Sequence, residues 1–216
     1  MDYQPELLVN QKNPPKKILS TILHEFENCN QFFISVAFVT TSRVATIINV
    51  LKELENRGIQ GQILVSQYLN FTQPEALKRL VQFKNIDLRI AITGNNHTKG
   101  YIFKNKDHYN LIVGSSNLTA QALSTNKEWN IKLSALDESG IVDKVLREFH
   151  LDFEKGIPVS PEYILSYQEI YQGQFLLRQK IQLESIVDSR AHIRPNSMQV
   201  EALKNLQELR RQQKNK

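Results

Sequence analysis

An α/β fold is predicted by the way strand-like and helix-like segments alternate along the first half of this 216-residue chain. Three short runs of mostly apolar residues, many of them β-branched or aromatic, each follow a longer segment whose apolar residues recur at helical spacing. Such alternation is typical of a sheet with helices packed on its faces. Beyond this region the pattern changes to neighbouring strands, and from Ser160 onward to helical, polar-rich sequence.

The first elements follow from apolar spacing and from proline. Residues 7–9 indicate a short strand, which Pro14 and Pro15 interrupt. Residues 16–28 carry apolar side chains at helical spacing, which predicts a helix. Residues 32–39 are too continuously apolar for a half-exposed strand, so we expect a central strand there.

The next two helices have recognisable ends. Ser42 is a candidate cap for a helix over 42–57, and Gly58 is its expected stop. Pro74 suits the first position of the following helix, which is predicted to reach about residue 83. Each helix is followed by a predicted buried strand, over residues 62–66 and 86–92.

The second half of the chain predicts a hairpin rather than further alternation. Its strands cover residues 98–103 and 109–113, joined by a polar turn. The remaining predicted elements are a strand over 129–134, a helix over 141–153 and a helical stretch from 160 to about 189.

Composition limits the choice of partners and compartment. A net charge of +5 and a pI near 9.2 are compatible with a polyanionic partner. The single cysteine, Cys29, fits a reducing compartment, and its apolar helical context predicts a buried structural thiol. The first residues lack a signal-peptide pattern, and no apolar run is long enough to span a bilayer. We therefore expect a cytoplasmic protein.

The candidate chemistry lies between residues 97 and 129. His97 and Lys99, two residues apart on a strand, point the same way. The turn Gly114-Ser115-Ser116-Asn117 adds small groups and hydrogen-bond donors that can approach an anion closely. Glu128 follows and precedes the only tryptophan, Trp129. These residues predict a pocket for a phosphodiester, with a histidine placed to attack it.

The pattern His97-x-Lys99, then Gly114-Ser115-x-Asn117 and Glu128, resembles the HKD signature of the phospholipase D superfamily. Its spacing is most similar to the nuclease branch, which includes metal-independent endonucleases. The resemblance implies a phospholipase D-like mixed β-sheet sandwiched between helices, here with a helical C-terminal extension. We interpret residues 1–158 as this nuclease domain, and we expect neither a cofactor nor a metal.

The resemblance also implies the role of each site residue. In the family two such motifs meet across a twofold axis; this sequence contains one, so a homodimer is expected to complete the active site. His97 would be the nucleophile in one copy, forming a phosphohistidine, and the general acid in the other. Lys99, Ser115 and Asn117 would bind the substrate phosphate, and Glu128 would accept a hydrogen bond from His97.

One position departs from the family pattern. The full signature has an aspartate five residues after the lysine, where this chain has Lys104; Asp107 falls in an apparent turn and is not counted as a replacement. The change weakens a phospholipase interpretation more than a nuclease one, and it leaves open a catalytically inactive domain. Trp129 is predicted to lie in the core rather than to stack on a nucleic-acid base.

A second resemblance concerns the wider chain. Residues 62–134 resemble the phospholipase-D-like domain at the N-terminus of some bacterial superfamily 2 (DEAD/DEAH-type) helicase and restriction proteins. The segment Arg194-Pro195-Asn196-Ser197-Met198-Gln199 resembles the glutamine motif that precedes the nucleotide-binding loop of these helicases, and a helix is predicted over 200–209. We expect a helical linker over 159–190 and the start of a truncated helicase domain over 191–216; a solvated basic helix is the alternative.

Three functions are considered from the sequence. The first is a metal-independent DNA endonuclease that forms the N-terminal domain of a helicase or restriction-type protein. The second is a lipid phosphodiesterase or phosphatidyltransferase, which the single motif, the change at Lys104 and the lack of an amphipathic membrane-binding face disfavour. The third is a catalytically inactive module that dimerises and binds the nucleic-acid backbone through the predicted phosphodiester pocket.

Overall fold

A mixed eight-stranded sheet is the framework of this chain. The strands are β1 (Glu6–Leu8), β2 (Gln11–Lys12), β3 (Pro15–Lys16), β4 (Gln31–Val36), β5 (Gln60–Ser66), β6 (Ile86–Ala91), β7 (Gly100–Lys104), β8 (His108–Gly114), β9 (Asn130–Leu136) and β10 (Ile157–Pro158). The sheet order is β1-β9-β8-β7-β4-β5-β6-β10, while β2 and β3 form a separate pair. Strands β4, β5 and β6 are parallel, and the other neighbours are antiparallel.

Helices connect and cover these strands. They are α1 (Ile18–Asn28), α2 (Thr41–Asn56), α3 (Pro74–Leu80), α4 (Ala120–Ser124), α5 (Gly140–Lys155) and α6 (Pro161–Ala191). The computed structural model describes residues 5–13, 15–66, 70–92 and 96–191. The chain divides into two compact units, Met1–Gln172 and Gly173–Lys216. The glutamine-motif segment, the helix expected over 200–209 and His192 lie outside the described residues.

Two apolar layers pack against the sheet, one on each face. On the first, which we call the α1 face, Phe26 packs edge-on against Phe32 and Phe103, each with a ring-centroid distance of 5.1 Å. Helices α1, α2 and α3 contribute to the same layer. On the second, the α5 face, Phe149 packs edge-on against Phe33 at 5.5 Å. Side chains alternate along each strand, so neighbouring residues of one strand belong to different layers.

The predicted fold class is confirmed, since parallel strands alternate with helices and an antiparallel hairpin follows. Pro74 opens α3, and Gly58, with a φ of 70°, follows the end of α2. The cap prediction is wrong: α2 starts at Thr41, so Ser42 lies inside it and Thr40 takes the N-cap position. Sequence patterns missed β2, β3, β10 and α4, each of which is five residues or shorter.

Cys29 has the environment that its sequence context predicts. The residue is fully buried beside α1, and its Sγ atom donates to the Phe26 carbonyl oxygen at 3.4 Å. Burial raises the pKa of the thiol to about 11, which keeps it protonated and unreactive at neutral pH.

Candidate active site

The candidate site lies where the parallel strands end, and Asn117 ties it to that edge. The Asn117 Oδ1 atom accepts hydrogen bonds from the backbone N–H groups of Ala37 at 3.1 Å and Phe38 at 3.3 Å, directly beyond β4. These bonds fix the orientation of the amide. Its Nδ2 atom is therefore the one positioned to donate to a ligand, as binding of a phosphate oxygen requires.

His97 and Lys99 form a close pair just before β7, which begins at Gly100, so the two residues do not lie on a strand as the sequence predicts. The Lys99 Nζ atom lies 2.8 Å from Nδ1 and 3.2 Å from Nε2 of His97, and it donates to the His97 carbonyl oxygen at 2.7 Å. His97 is exposed, whereas Lys99 is buried. The structure thus brings together an accessible imidazole and an ammonium group that is partly removed from water.

The electrostatic environment favours a neutral imidazole. Partial burial and the nearby Lys99 charge lower the pKa of His97 below its ordinary value of 6.5. Burial also lowers the pKa of Lys99, an effect that the charge of Glu128 opposes. Because only an unprotonated imidazole nitrogen has a lone pair for attack on phosphorus, a lowered pKa increases the reactive fraction at neutral pH.

Removing the Lys99 charge is expected to raise the pKa of His97. In Lys99→Gln one of the two causes of the depression disappears, so the imidazole should become protonated at a higher pH than in the wild type. A histidine-resolved NMR titration measures this value directly. Lys104→Gln is the matched control, since Lys104 lies at the other end of β7, and an equal pKa change in both variants would contradict the assignment.

Glu128 and Ser115 are joined by a short hydrogen bond in which the Ser115 Oγ atom donates to the carboxylate. The Ser115 backbone N–H donates to the Trp129 carbonyl oxygen at 3.0 Å, and the Trp129 N–H donates to Ser115 Oγ at 3.1 Å. The Gly-Ser-Ser-Asn turn is thereby fastened to the segment that carries Glu128. Contact of Ser115 with phosphate and acceptance of a hydrogen bond from His97 by Glu128 stay predictions.

Two buried side chains that the sequence did not assign a role support this turn. Asn130 Nδ2 donates to Ser116 Oγ at 2.8 Å, and Asn130 Oδ1 accepts from the Ser116 N–H at 3.3 Å. The Tyr101 hydroxyl donates to the Ser116 carbonyl oxygen at 2.9 Å, and its complete burial raises the tyrosine pKa. Tyr101 lies in β7 two residues after Lys99, so the periodicity of the predicted strand was the signal that could have identified it.

Trp129 does not lie in the core, contrary to the sequence prediction. The residue is 63% exposed and directly precedes β9. Lys104, which stands where the family has an aspartate, lies at the opposite end of β7 from Lys99. Its Nζ atom is 3.7 Å from Asp137 and 5.5 Å from the centroid of the Tyr109 ring.

No group of three or more His, Cys, Asp or Glu side chains within the described ranges could share a metal ion. Among the helices of the described part of the chain, none combines the length and apolar character needed to cross a bilayer.

The fold and the site define a phospholipase D-like class of protein. The profile of the family described as "Cardiolipin synthase, PLD-like domain" matches residues 22–153, more than half of the chain. The chain therefore belongs to the phospholipase D-like family. No curated protein sequence matched it.

Solved structures agree on the fold. NucT from Helicobacter pylori aligns with a TM-score of 0.56 at 18% identity, covering 72% of this chain and 99% of NucT. The phospholipase D family member Nuc from Salmonella typhimurium gives 0.54 at 17%, covering 72% and 99%. Phosphatidylserine synthase from Haemophilus influenzae gives 0.54 at 14%, covering 84% of this chain and 46% of the synthase. At these identities the likeness establishes a shared fold.

Proposed function

We propose that this chain is a metal-independent DNA endonuclease that uses His97 as a covalent nucleophile in a site shared by two copies. The observation that carries the proposal is the pairing of an accessible His97 imidazole with Lys99 Nζ, 2.8 Å from Nδ1, at the edge where Asn117 presents its amide. A nucleophile and an ammonium group suited to a phosphate are thus in contact, and Asn117 is held beyond the end of β4 as the proposed third group.

In the first step a neutral His97 nitrogen attacks phosphorus, and the P–N bond forms as the bond to the leaving strand's oxygen breaks. His97 of the second copy, protonated, gives its proton to that oxygen. Lys99 and Asn117 stabilise the charge that develops on the non-bridging oxygens.

In the second step water attacks the phosphohistidine. The second copy's His97, now neutral, accepts the water's proton. The P–N bond breaks and returns a free imidazole, and the second strand leaves with a terminal phosphate.

A second copy is proposed because the other described histidines lie away from this pair. His108 is bonded to Asp107, with 2.8 Å between Nδ1 and Oδ1, at the far end of β8. His150 packs edge-on against Phe33 from α5, and His24 lies in α1 beside Asn28. Within the described ranges none of these supplies the second imidazole that the mechanism needs, so we assign it to a homodimer.

A nucleic-acid substrate is favoured over a lipid by the motif spacing, by the lengths of the similar structures and by the net charge. The chain covers almost all of NucT and of Nuc but less than half of phosphatidylserine synthase, and its net charge is +5. A basic protein attracts a polyanion, and its binding should weaken steeply as salt rises. The place of this domain at the N-terminus of a helicase or restriction-type protein remains a proposal from sequence likeness.

The proposal is tested by cleavage and by trapping of the intermediate. We expect the chain to cut DNA in excess EDTA and to form a labelled covalent adduct with a phosphate-labelled substrate. That adduct should be lost in acid and kept in alkali, as a nitrogen–phosphorus bond requires. Cleavage that stops in EDTA and returns with added Mg²⁺ would contradict the proposed mechanism.

The alternative is an inactive module that binds the nucleic-acid backbone and dimerises. This alternative is considered because Lys104 stands where the family has an aspartate. Lys104 lies at the far end of β7, where it is near Asp137 and Tyr109 rather than the His97–Lys99 pair. We therefore propose the catalytically active domain rather than the inactive module. DNA binding without any cleavage, abolished by changing Lys99 and Asn117 together, would favour the alternative.

A further inference from the structure

A cavity lies between α5 and the sheet, and small residues on the strands create it. Ser35 in β4 is the cross-strand partner of Leu64 in β5 and of Gly100 in β7. Gly100 is in turn the partner of Val113 in β8. Cross-strand partners share one face of a sheet. The two middle positions of this row carry small residues, and a Cβ atom added to Gly100 would meet no heavy atom within 4 Å.

The resulting space, which we call the α5 cavity, has a volume of about 380 Å³, a size typical of small-molecule sites. Its walls are mostly apolar, and one of them is aromatic. The apolar side chains that line it are those of Leu64, Ile102, Val113, Val145 and Phe149. Such walls suit a planar group with little charge of its own.

One polar group in the wall of the α5 cavity has no partner. Ser35 is only 8% exposed and lines the cavity. Its hydroxyl makes no hydrogen bond to any residue in the described part of the chain. Buried polar groups are normally hydrogen-bonded, so an unpaired hydroxyl in a cavity wall indicates a ligand that pairs with it.

Charged side chains of α5 form the rim of the α5 cavity. Lys144, Glu148 and Asp152 are spaced four residues apart, so they follow one side of the helix, and all three line the cavity. Two carboxylates beside one ammonium group favour a ligand that presents hydrogen-bond donors at this rim. Apolar walls with a carboxylate rim are suited to a heterocycle that carries an amino group.

The α5 cavity borders the candidate active site. Thr98, which lines the cavity, stands between His97 and Lys99 in the chain. The Thr98 N–H donates to Asn96 Oδ1 at 3.1 Å, and Asn96 Nδ2 donates to Asp152 Oδ2 at 3.2 Å. The segment that carries the His97–Lys99 pair is thereby fastened to the rim of the cavity. A group bound in the cavity therefore lies next to a phosphate held by Lys99.

We propose that the α5 cavity is a base pocket. It takes the base of a nucleotide that adjoins the phosphate at His97, and Glu148 selects a base with an exocyclic amino group. The proposal rests on the proposed function, which makes DNA the substrate. Cytosine presents an N4 amino group that a carboxylate accepts, whereas thymine presents a carbonyl oxygen at the same place. A preference for cytosine over thymine beside the cleaved bond follows.

A lipid chain is the other occupant that apolar walls accept, and the polar groups of the cavity disfavour it. An acyl chain has no group to pair with the Ser35 hydroxyl, and a buried hydroxyl left unpaired costs free energy. It would also place methylene groups against the half-buried Asp152. The polar edge of a base can pair with both side chains.

Binding of nucleoside monophosphates tests the pocket without a cleavage step, because a phosphate monoester contains no phosphodiester bond. In an NMR titration, deoxycytidine monophosphate should shift the Ile102 methyl resonances and bind about 10-fold more tightly than deoxythymidine monophosphate, as expected for one hydrogen bond to a charged group. Inorganic phosphate, which has no base, should leave these resonances in place. Equal affinities for the two nucleotides would overturn the proposal, as would shifts caused by dihexanoylphosphatidylglycerol but by neither nucleotide.

Two substitutions separate the space of the pocket from its chemistry. Gly100→Val fills the α5 cavity and should abolish the Ile102 shifts, while a thermal melt shows whether the fold is kept. Glu148→Gln keeps the space but introduces an amide, which donates to thymine as readily as it accepts from cytosine. The preference for deoxycytidine monophosphate should then fall below about 3-fold.

Glu154→Gln is the matched control for Glu148→Gln. Glu154 is an exposed glutamate on another side of α5, away from the cavity. This variant should keep the wild-type preference for deoxycytidine monophosphate. Equal losses of preference in the two glutamate variants would contradict the role given to Glu148.

Failure of this proposal is distinguishable from failure of the proposed function. Selective binding of deoxycytidine monophosphate by a chain that does not cut DNA in EDTA would support the pocket and contradict the nuclease. EDTA-resistant cleavage that occurs equally beside cytosine and thymine would overturn the pocket and leave the nuclease standing.

Discussion

Replacing His97 by alanine is expected to lower EDTA-resistant DNA cleavage by at least about 1,000-fold, because both the nucleophile and its proton-donating counterpart are lost. The folded structure should change little, since the His97 side chain is exposed. Cleavage rates in excess EDTA and a thermal melt together measure this. His108→Ala is the matched control, a histidine at the opposite end of the hairpin that should leave the rate unchanged.

Mixing wild-type and His97→Ala chains tests whether the site is shared. If every site needs His97 from two copies and the subunits exchange, activity falls as the square of the wild-type fraction. If each chain carries a complete site, the decline is linear. Unaltered cleavage by the pure His97→Ala protein would rule out the nuclease assignment altogether.

Adding a methyl group at Gly114 is expected to destabilise the fold by about 1–3 kcal/mol, in the range of an overpacked core. A Cβ atom there would lie 2.2 Å from the Trp129 carbonyl oxygen and 2.6 Å from the Asn130 Cα atom, both backbone positions. The beginning of β9 would have to move, together with the bonds that fasten the turn. Chemical denaturation of Gly114→Ala against the wild type measures the free energy of unfolding.

Gly100 provides the control for this change. It lies on the neighbouring strand β7, opposite Val113, and an added Cβ there meets no heavy atom within 4 Å. Gly100→Ala should leave the free energy of unfolding within about 0.5 kcal/mol of the wild type, the usual range for a substitution that disturbs no packing. Equal losses at both positions would mean that close packing at Gly114 is not the cause.

Local sequence patterns were sufficient to predict an element where the element is long or where a residue clearly marks its end. Gly58, with its positive φ, and Pro74 at the start of α3 each act through their own backbone conformation, so their effects are visible without neighbours. The prediction that Ser42 caps α2 was wrong because Thr40, Thr41 and Ser42 can all cap a helix. Tertiary contacts select the first residue of α2, and one of them is a hydrogen bond from the Thr41 N–H to Gln73 Oε1 at 2.7 Å.

Motif spacing identified the central pair of the site but not its supports. His97 and Lys99 are two residues apart, so their closeness follows from short spacing along the chain, although both precede β7. Asn130 and Tyr101 support the turn through contacts with Ser116, which is 14 residues away from one and 15 from the other. Bonds between such distant residues depend on how β7, β8 and β9 pair, and no local pattern encodes that register.

By itself, the sequence determined the alternating α/β framework, the His97–Lys99 pair and the turn at residues 114–117, because each depends on backbone periodicity or on close spacing along the chain. Only the tertiary structure decided that Lys104 stands at the far end of β7 and that Trp129 is exposed. It also left Val113, which directly precedes Gly114, 48% exposed. Burial depends on which strands pair and which helices cover them, so a prediction for Trp129 made from local sequence alone was wrong.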